Sequence, residues 1–158
     1  MIIYEENGVV HSCSLMSSVP DGITGYEVEA PTDKEFRDAW VINAGALDID
    51  LDKAKAIKVK QAQAEATTMM KVITDQYSQD EIDTWTMQEE EARGNKPDDY
   101  LTLLSLYSNI PLADLKAKII ANADAFKALS AEAVGRRQGM EKNCMAATTL
   151  DELKAVTF

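Results

Sequence analysis

The sequence of 158 residues has little of the chemistry that most enzymes use. It contains one histidine, His11, and two cysteines, Cys13 and Cys144. These are too few for a metal cage or a disulfide framework, although a single Cys13–Cys144 bridge is possible. Neither a glycine-rich phosphate loop nor an HExxH metalloprotease pattern is present. The sequence therefore predicts a non-enzymatic protein with no catalytic residues, no cofactor and no metal site.

Long apolar runs and an excess of basic residues are also lacking. No apolar stretch approaches the 18 residues of a membrane span, and the start lacks the charged and then apolar pattern of an export signal. Sixteen Lys and Arg residues against twenty-seven Asp and Glu residues give a net charge of −11. This charge repels nucleic acids and anionic membranes alike. We expect a cytoplasmic protein with reduced thiols that binds neither.

Residues 1–50 have the pattern of short strands separated by turns. Two apolar segments flank Asn7-Gly8, which favours the positive φ angles of a tight hairpin. Residues 26–29 alternate like a half-buried strand, and a second hairpin is expected around Ala44-Gly45. Residues 32–38 could form one helical turn or a connecting loop. The segment is predicted to be a small N-terminal antiparallel β-meander, and it carries a net charge of −8.

From Asp50 onward the apolar period changes from two to about 3.6, which indicates helices. Asp50, Ser78 and Thr149 are predicted N-caps, and the last two have a glutamate three residues later, as in a capping box. The fold class is therefore α+β, with a β-rich domain at residues 1–50 and a helical domain at residues 51–158. Helices are expected near residues 51–76, 79–93, 98–108, 111–146 and 149–156.

The helix near residues 111–146 has apolar residues spaced by seven, and it could form a coiled coil. Its length is on the order of 50 Å at 1.5 Å per residue. The short helices before it cannot cover such a length unless the helix folds back on the chain or meets another chain. Intramolecular packing and self-association both remain open. The candidate self-association residues are Leu115, Ile119, Phe126, Leu129, Ala133 and Met140.

Two groups of residues could suggest chemistry. His11 and Cys13 lie two apart and would share one face of a strand, as a base and a nucleophile could. No third orienting group accompanies them, so we interpret the pair as packing. The alternating acids that follow residue 47 could suggest calcium, but an EF-hand loop counted from Asp48 would place Lys53 where glycine is required and Val59 where glutamate is required.

Several segments, in their order along the chain, resemble the tail fibre assembly proteins of tailed bacteriophages, also called tail fibre chaperones. The matching segments are spread over about two thirds of the chain. The matching segments are residues 38–50 (DAWVINAGALDID), 51–57 (LDKAKAI), 77–85 (YSQDEIDTW), 88–93 (QEEEAR), 110–115 (IPLADL), 123–126 (ADAF), 135–138 (GRRQ) and 146–153 (AATTLDEL).

The resemblance implies a chaperone that binds a tail fibre or receptor-binding protein in the host cytoplasm and promotes its folding and trimerisation. Fibre tips have many non-local contacts, fold slowly and expose unpaired strand edges meanwhile. The β-meander could pair with such an edge by β-augmentation, with Tyr4, Val10, Trp40 and Ile42 as candidate partner-binding residues. The alternative is a structural virion component, such as a fibre adaptor or a tip cap, that stays on the particle.

Overall fold

The computed structural model describes residues 1–31 and 34–158. Thr32 and Asp33, which belong to the segment expected to form a helical turn or a loop, lie outside the described residues. Strand β1 (Ile2–Glu6) and strand β2 (Val9–Cys13) form an antiparallel hairpin. Asn7 and Gly8 connect them with φ angles of 53° and 77°. These angles are those of a two-residue hairpin turn, so this local prediction is confirmed.

The remaining strands extend the β region into two small sheets. Strand β3 (Tyr26–Glu27) pairs with β1 and gives the order β2-β1-β3. Strands β4 (Trp40–Asn43) and β5 (Ala46–Ile49) form a separate antiparallel hairpin. The N-terminal antiparallel strands are thus confirmed. They do not follow one another as a single meander, because the chain after β2 crosses to the far edge of β1.

Five α-helices follow, and they confirm the predicted helical region with one long helix. Their bounds are α1 Leu51–Thr74, α2 Gln79–Ala92, α3 Asp99–Ser108, α4 Leu112–Ala146 and α5 Leu150–Lys154. Asp50 begins α1 because its Oδ1 atom accepts the backbone N–H groups of Asp52 and Lys53, each at 3.0 Å. Ser78 and Thr149 form capping boxes at the starts of α2 and α5. Among the described residues, no helix is long and apolar enough to cross a membrane.

The chain folds into two compact units, and α1 and α4 contribute residues to both. Unit 1 consists of Met1–Ala62 and Gly139–Phe158, and unit 2 of Gln63–Gln138. The unit boundaries therefore fall inside two helices and not at residue 50. The reason is visible in the core of unit 1, which joins the start of α1, the end of α4, α5 and the segment before β4. Its buried residues are Phe36, Ala39, Ala54, Ala62, Met140, Cys144, Ala147 and Leu153.

Unit 2 is helical and has a smaller core. Ala92, Leu101 and Leu115 are its buried residues, from α2, α3 and α4. The carboxylate of Glu91 is buried beside them and accepts the backbone N–H groups of Tyr100 at 3.3 Å and Leu101 at 2.9 Å. These N–H groups belong to the first turn of α3, where a helix has no internal acceptors for them. Glu91 thus joins the end of α2 to the start of α3.

Candidate functional site

The four candidate partner-binding residues do not form one accessible surface. Trp40 is only 4% exposed, whereas Tyr4, Val10 and Ile42 are half-buried. Tyr4 pairs with His11 across the hairpin and stacks on its ring at 5.3 Å, and Val10 pairs with Glu5. Since adjacent strand positions face opposite sides of a sheet, Tyr4 and Val10 project from opposite faces. A partner could reach some of these residues, but Trp40 belongs to the interior.

The edge formed by β2 is a more accessible candidate. Within residues 1–31 and 34–158, β2 is hydrogen-bonded to a neighbouring strand on one side only, and β4 packs near it without pairing. Edge strands usually carry charged residues or proline, which discourage pairing with other chains. Residues 7–20 contain no Asp, Glu, Lys or Arg, and Val9, Leu15 and Met16 are 55%, 63% and 52% exposed. β2 itself therefore carries no charged side chain, and exposed apolar residues lie at its start and just beyond its end.

Helix α3 has a second exposed apolar surface. Leu103, Leu106 and Tyr107 are 54%, 71% and 84% exposed, and their spacing places them on one face of the helix. Leu101 and Leu104 on the other face pack in the core of unit 2. A helix that is apolar on all sides is normally covered on all sides. The outer face of α3 is thus a candidate contact surface.

Both surfaces belong to segments that lack charged residues, a property that can be seen in the sequence. Residues 7–20 and 100–113 are the two longest stretches without a charged residue. Of the eight large apolar side chains that are exposed among the described residues, six belong to these stretches, the others being Val72 and Met145. Uncharged windows can be read from the sequence. Their exposure cannot, because a buried segment has the same composition.

The candidate self-association stripe of α4 is largely covered by the chain itself. Leu115 is 7% exposed in the core of unit 2, Met140 is 4% exposed in the core of unit 1, and Ala133 is fully buried. Ile119 and Phe126 are half-buried and pack within unit 2, and Leu129 is half-buried as well. The seven-residue spacing therefore marks a face that packs mainly within each unit.

An aromatic cleft of about 440 Å³ opens in unit 2. Trp85 meets Tyr77 and Phe126 edge to face, with ring centroids 5.1 and 5.3 Å apart. The Nδ2 atom of Asn122 donates a hydrogen bond to the hydroxyl of Tyr77 at 3.3 Å. The volume is in the range of small-molecule sites, roughly 300–1,000 Å³. The cleft is lined by Ile73, Tyr77, Glu81, Ile82, Trp85, Thr86, Gln88, Glu89, Ile119, Asn122, Ala123, Phe126 and Lys127.

A group of ion pairs stands at the rim of this cleft. Glu89 pairs with Lys127 and with Arg93, whose Nε atom is 2.7 Å from Oε1 of Glu89. Arg93 also pairs with Asp124 on α4. Hydrogen bonds from Lys127 and then Arg93 lower the pKa of Glu89, and those to Glu89 and Asp124 raise the pKa of Arg93. The network links α2 to α4 through charged side chains.

A smaller cleft of about 200 Å³ lies beside β2 in unit 1. It combines backbone and side chains of the strand with charged residues that precede β4 and begin α1. Its lining residues are Gly8, Val9, Val10, His11, Arg37, Asp38, Trp40 and Lys53. The Nη2 atom of Arg37 donates to Oγ of Ser12 at 3.2 Å, and the guanidinium lies 5.7 Å from the centroid of the Trp40 ring. The arginine is thus held against the strand.

The residues considered for nucleophilic chemistry are engaged elsewhere. The thiol of Cys13 donates to the carbonyl of Leu15 at 3.2 Å, and His11 stacks on Tyr4. Both cysteines are free thiols, and Cys144 is fully buried, which raises its pKa. In residues 1–31 and 34–158, no group of three or more His, Cys, Asp or Glu side chains is arranged to hold a metal ion.

Comparison with known proteins finds a match to part of the chain. A protein-family model described as the HI1402 helical domain matches residues 121–157. The match covers the later part of α4 together with α5. No curated protein and no solved structure matches the chain.

Proposed function

We propose that this protein is a tail fibre assembly chaperone of a tailed bacteriophage. It binds the tail fibre or receptor-binding protein in the host cytoplasm and promotes its folding and trimerisation. The observation that best supports this role is the uncharged edge strand β2, with exposed Val9 at one end and exposed Leu15 and Met16 at the other. The resemblance of the ordered segments between residues 38 and 153 to fibre assembly proteins supports it as well.

The edge of β2 suits a partner that is still folding. A fibre chain with an unpaired strand can add that strand to an exposed edge, and the new main-chain hydrogen bonds hold it there. Apolar side chains of the docked strand also contact Leu15 and Met16. The net charge of −8 in residues 1–50 opposes stacking of the β-rich segments of two copies on one another.

Co-expression with the neighbouring fibre gene tests the proposal directly. The yield of soluble fibre trimer should rise with the wild-type protein and should fall again with Leu15→Glu combined with Met16→Glu. Met145→Glu is the matched control, because Met145 is 64% exposed in unit 1 but lies outside the β2 edge. A trimer yield that is the same with and without the wild-type protein would contradict the proposed function.

The chaperone should leave the fibre once assembly is complete. Mass spectrometry of purified phage particles should therefore find no peptides of this protein, or far fewer than one copy per fibre. Stoichiometric peptides would overturn this part of the proposal and would indicate a permanent fibre adaptor or tip cap.

For self-association we propose the outer face of α3 in place of the buried stripe of α4. The face carries one carboxylate, Asp99 in the first turn of α3, and is uncharged from Leu103 to Tyr107, so two copies can meet at this uncharged part although each has a net charge of −11. Light scattering coupled to gel filtration should give a mass above 17.4 kDa for the wild type and 17.4 kDa for Leu106→Lys. Val72→Lys, at an equally exposed position of α1, should leave the oligomer intact. A wild-type monomer of 17.4 kDa would contradict self-association.

A further inference from the structure

The cleft beside β2 collects positive charge in an acidic part of the chain. Residues 1–50 contain ten acidic residues and only two basic ones, Lys34 and Arg37. Arg37 lines the cleft together with Lys53 from the first turn of α1 and with the imidazole of His11. Asp38 is the one carboxylate among the lining residues in the described part of the chain. Counting the described residues, the cleft thus has two cations and one anion, where the surrounding segment is strongly negative.

Arg37 is oriented before any ligand arrives. Its Nη2 atom is 3.2 Å from Oγ of Ser12, and its guanidinium lies over the ring of Trp40, which is only 4% exposed. A guanidinium has five N–H donors in a fixed planar fork, and the fork matches the two oxygens of a carboxylate. Because the Arg37 side chain is already held in the free protein, it loses less conformational entropy when a carboxylate binds.

We propose that this cleft binds the carboxylate of an extended peptide that docks along the edge of β2. The carboxylate contacts Arg37, and Lys53, which also lines the cleft, strengthens the attraction. Both a chain terminus and an Asp or Glu side chain supply this chemistry. The inference rests on the proposed function in one respect, namely that the fibre protein provides the peptide.

The size and position of the cleft agree with this occupant. Its volume of about 200 Å³ is below the roughly 300–1,000 Å³ of sites that enclose a whole small molecule. It accommodates one side chain or one chain end. Gly8, Val9, Val10 and His11 line it together with Arg37 and Lys53, so a strand paired with this part of β2 lies beside the two cations.

The acidity of the segment does not prevent this contact. Charges that are exposed and separated by more than about 8 Å are largely screened at physiological ionic strength. A direct arginine–carboxylate pair is screened much less and forms charge-assisted hydrogen bonds. The carboxylate of Asp38 repels the ligand at short range, and the positive charge of Lys53 offsets this repulsion. The long-range field still repels polyanions, so the cleft selects a single carboxylate on an otherwise uncharged or basic peptide.

The test uses the full-length protein and three defined peptides. The first is acetyl-Lys-Thr-Val-Thr-Val-Thr with a free carboxyl end, the second is its carboxyl-terminal amide, and the third is an amide with aspartate as the last residue. Chemical shifts of ¹⁵N-labelled protein are followed during titration. The free acid should shift the resonances of the Arg37 side chain and of the β2 backbone. The neutral amide should bind more weakly by a factor of about ten or more.

The third peptide distinguishes the two sources of carboxylate. Binding of the aspartate amide tighter than that of the free acid assigns the site to side chains, weaker binding assigns it to a chain terminus, and equal binding shows that the cleft accepts both carboxylates. Equal affinity for the acid and the neutral amide would overturn the proposal. So would the absence of any shift at millimolar peptide.

Substitutions locate the interaction. Arg37→Gln should weaken binding of the carboxylate peptide about tenfold, and Arg37→Lys, which keeps the charge but loses the fork, should weaken it less. Lys34→Gln is the matched control, because it removes the other basic residue of the segment, which does not line the cleft. It should change the affinity less than about twofold. If Arg37→Gln fails to fold, Lys53→Gln and the peptide comparison still decide the question.

Fibre co-expression separates this inference from the proposed function. If wild-type protein does not raise the yield of fibre trimer, the proposed function fails, whatever the peptides show. If wild-type protein raises the yield and Arg37→Gln raises it equally, the function stands and the carboxylate cleft is overturned. We expect Arg37→Gln to reduce the yield and Lys34→Gln to leave it unchanged.

Discussion

The two compact units are stabilised in different ways. Unit 1 encloses large apolar side chains, and Ile3, Phe36 and Leu153 are each less than 2% exposed. In unit 2, Leu101 is the large apolar side chain that is less than 2% exposed. Most of the other buried apolar residues of this unit are alanines. Unit 2 also has charged links between α2 and α4 and a half-exposed aromatic cluster. Unit 1 depends chiefly on apolar burial, whereas unit 2 combines a small core with polar contacts around an open cleft.

The difference can be measured because each unit contains one tryptophan. Trp40 lies in unit 1 and Trp85 in unit 2, and the chain has two tryptophans in all. Trp85→Phe leaves a reporter for unit 1, and Trp40→Phe leaves one for unit 2. Fluorescence of these two variants during urea denaturation follows each unit by itself.

The largest effects should come from truncation of the buried cores. Phe36→Ala should lower the free energy of unfolding of unit 1 by about 3–5 kcal/mol, and Leu101→Ala that of unit 2 by about 2–5 kcal/mol. Both changes remove fully buried apolar volume and leave a cavity. Urea denaturation should show each loss first at the tryptophan of the same unit. Val72→Ala, at a position 67% exposed, should change stability by less than about 0.5 kcal/mol.

Removal of the buried carboxylate of unit 2 should have the next largest effect. Glu91→Ala should destabilise unit 2 by about 2–3 kcal/mol, because the N–H groups of Tyr100 and Leu101 lose a charged acceptor. Glu91→Gln keeps an oxygen acceptor and should cost less. Urea denaturation followed by Trp85 fluorescence measures the loss of stability in both variants. Equal losses for alanine and glutamine would show that hydrogen bonding to α3 is not the cause.

A smaller loss is expected at the start of α2. Ser78→Ala removes the side-chain oxygen that accepts the N–H of Glu81, and it should lower the stability of unit 2 by about 1 kcal/mol. Ser78→Asp keeps an acceptor at the N-cap and is the matched control. Thermal unfolding followed at Trp85 compares the two variants. A wild-type melting temperature for Ser78→Ala would contradict the importance of this cap.

The smallest effect should depend on pH and should be confined to unit 2. Lys127 and Arg93 lower the pKa of Glu89 below its ordinary value of 4.5. Its ion pairs therefore stabilise the folded state above the unfolded pKa, and this contribution is lost as pH falls through the lowered pKa. Glu89→Gln should cost less than about 1 kcal/mol at pH 7. The difference from wild type should shrink below about pH 4.5, when urea denaturation is repeated across pH. An unchanged difference at pH 3 would contradict this explanation.

Several local features could be predicted from a few neighbouring residues. The hairpin turn at Asn7-Gly8 follows from two residues that accept positive φ angles, whereas at Ala44-Gly45 only the glycine does so readily. The caps at Asp50, Ser78 and Thr149 follow from side chains that satisfy N–H groups within one helical turn. Such features are short-range, so the sequence pattern contains nearly all the information that they require.

The candidate site was predictable only in part. The N-terminal strands were correctly expected, but Trp40 was expected to contact a partner and is buried. The apolar stripe that includes Leu115 and Met140 was considered for self-association, and it lies mainly inside the two units. An apolar pattern shows which face of an element avoids water. It does not show whether the covering group belongs to the same chain or to another one.

The sequence alone determined the antiparallel strands, the order of five helices, the shortage of histidine and cysteine and the charge of −11. Tertiary structure alone decided that β3 pairs with β1, that β2 becomes an edge and that Arg37 meets Ser12 and Trp40. The physical reason is the separation along the chain of the residues that decide each feature. Turn and cap geometry depends on residues within about one turn, whereas exposure of an edge or a cleft depends on which distant segments pack beside it.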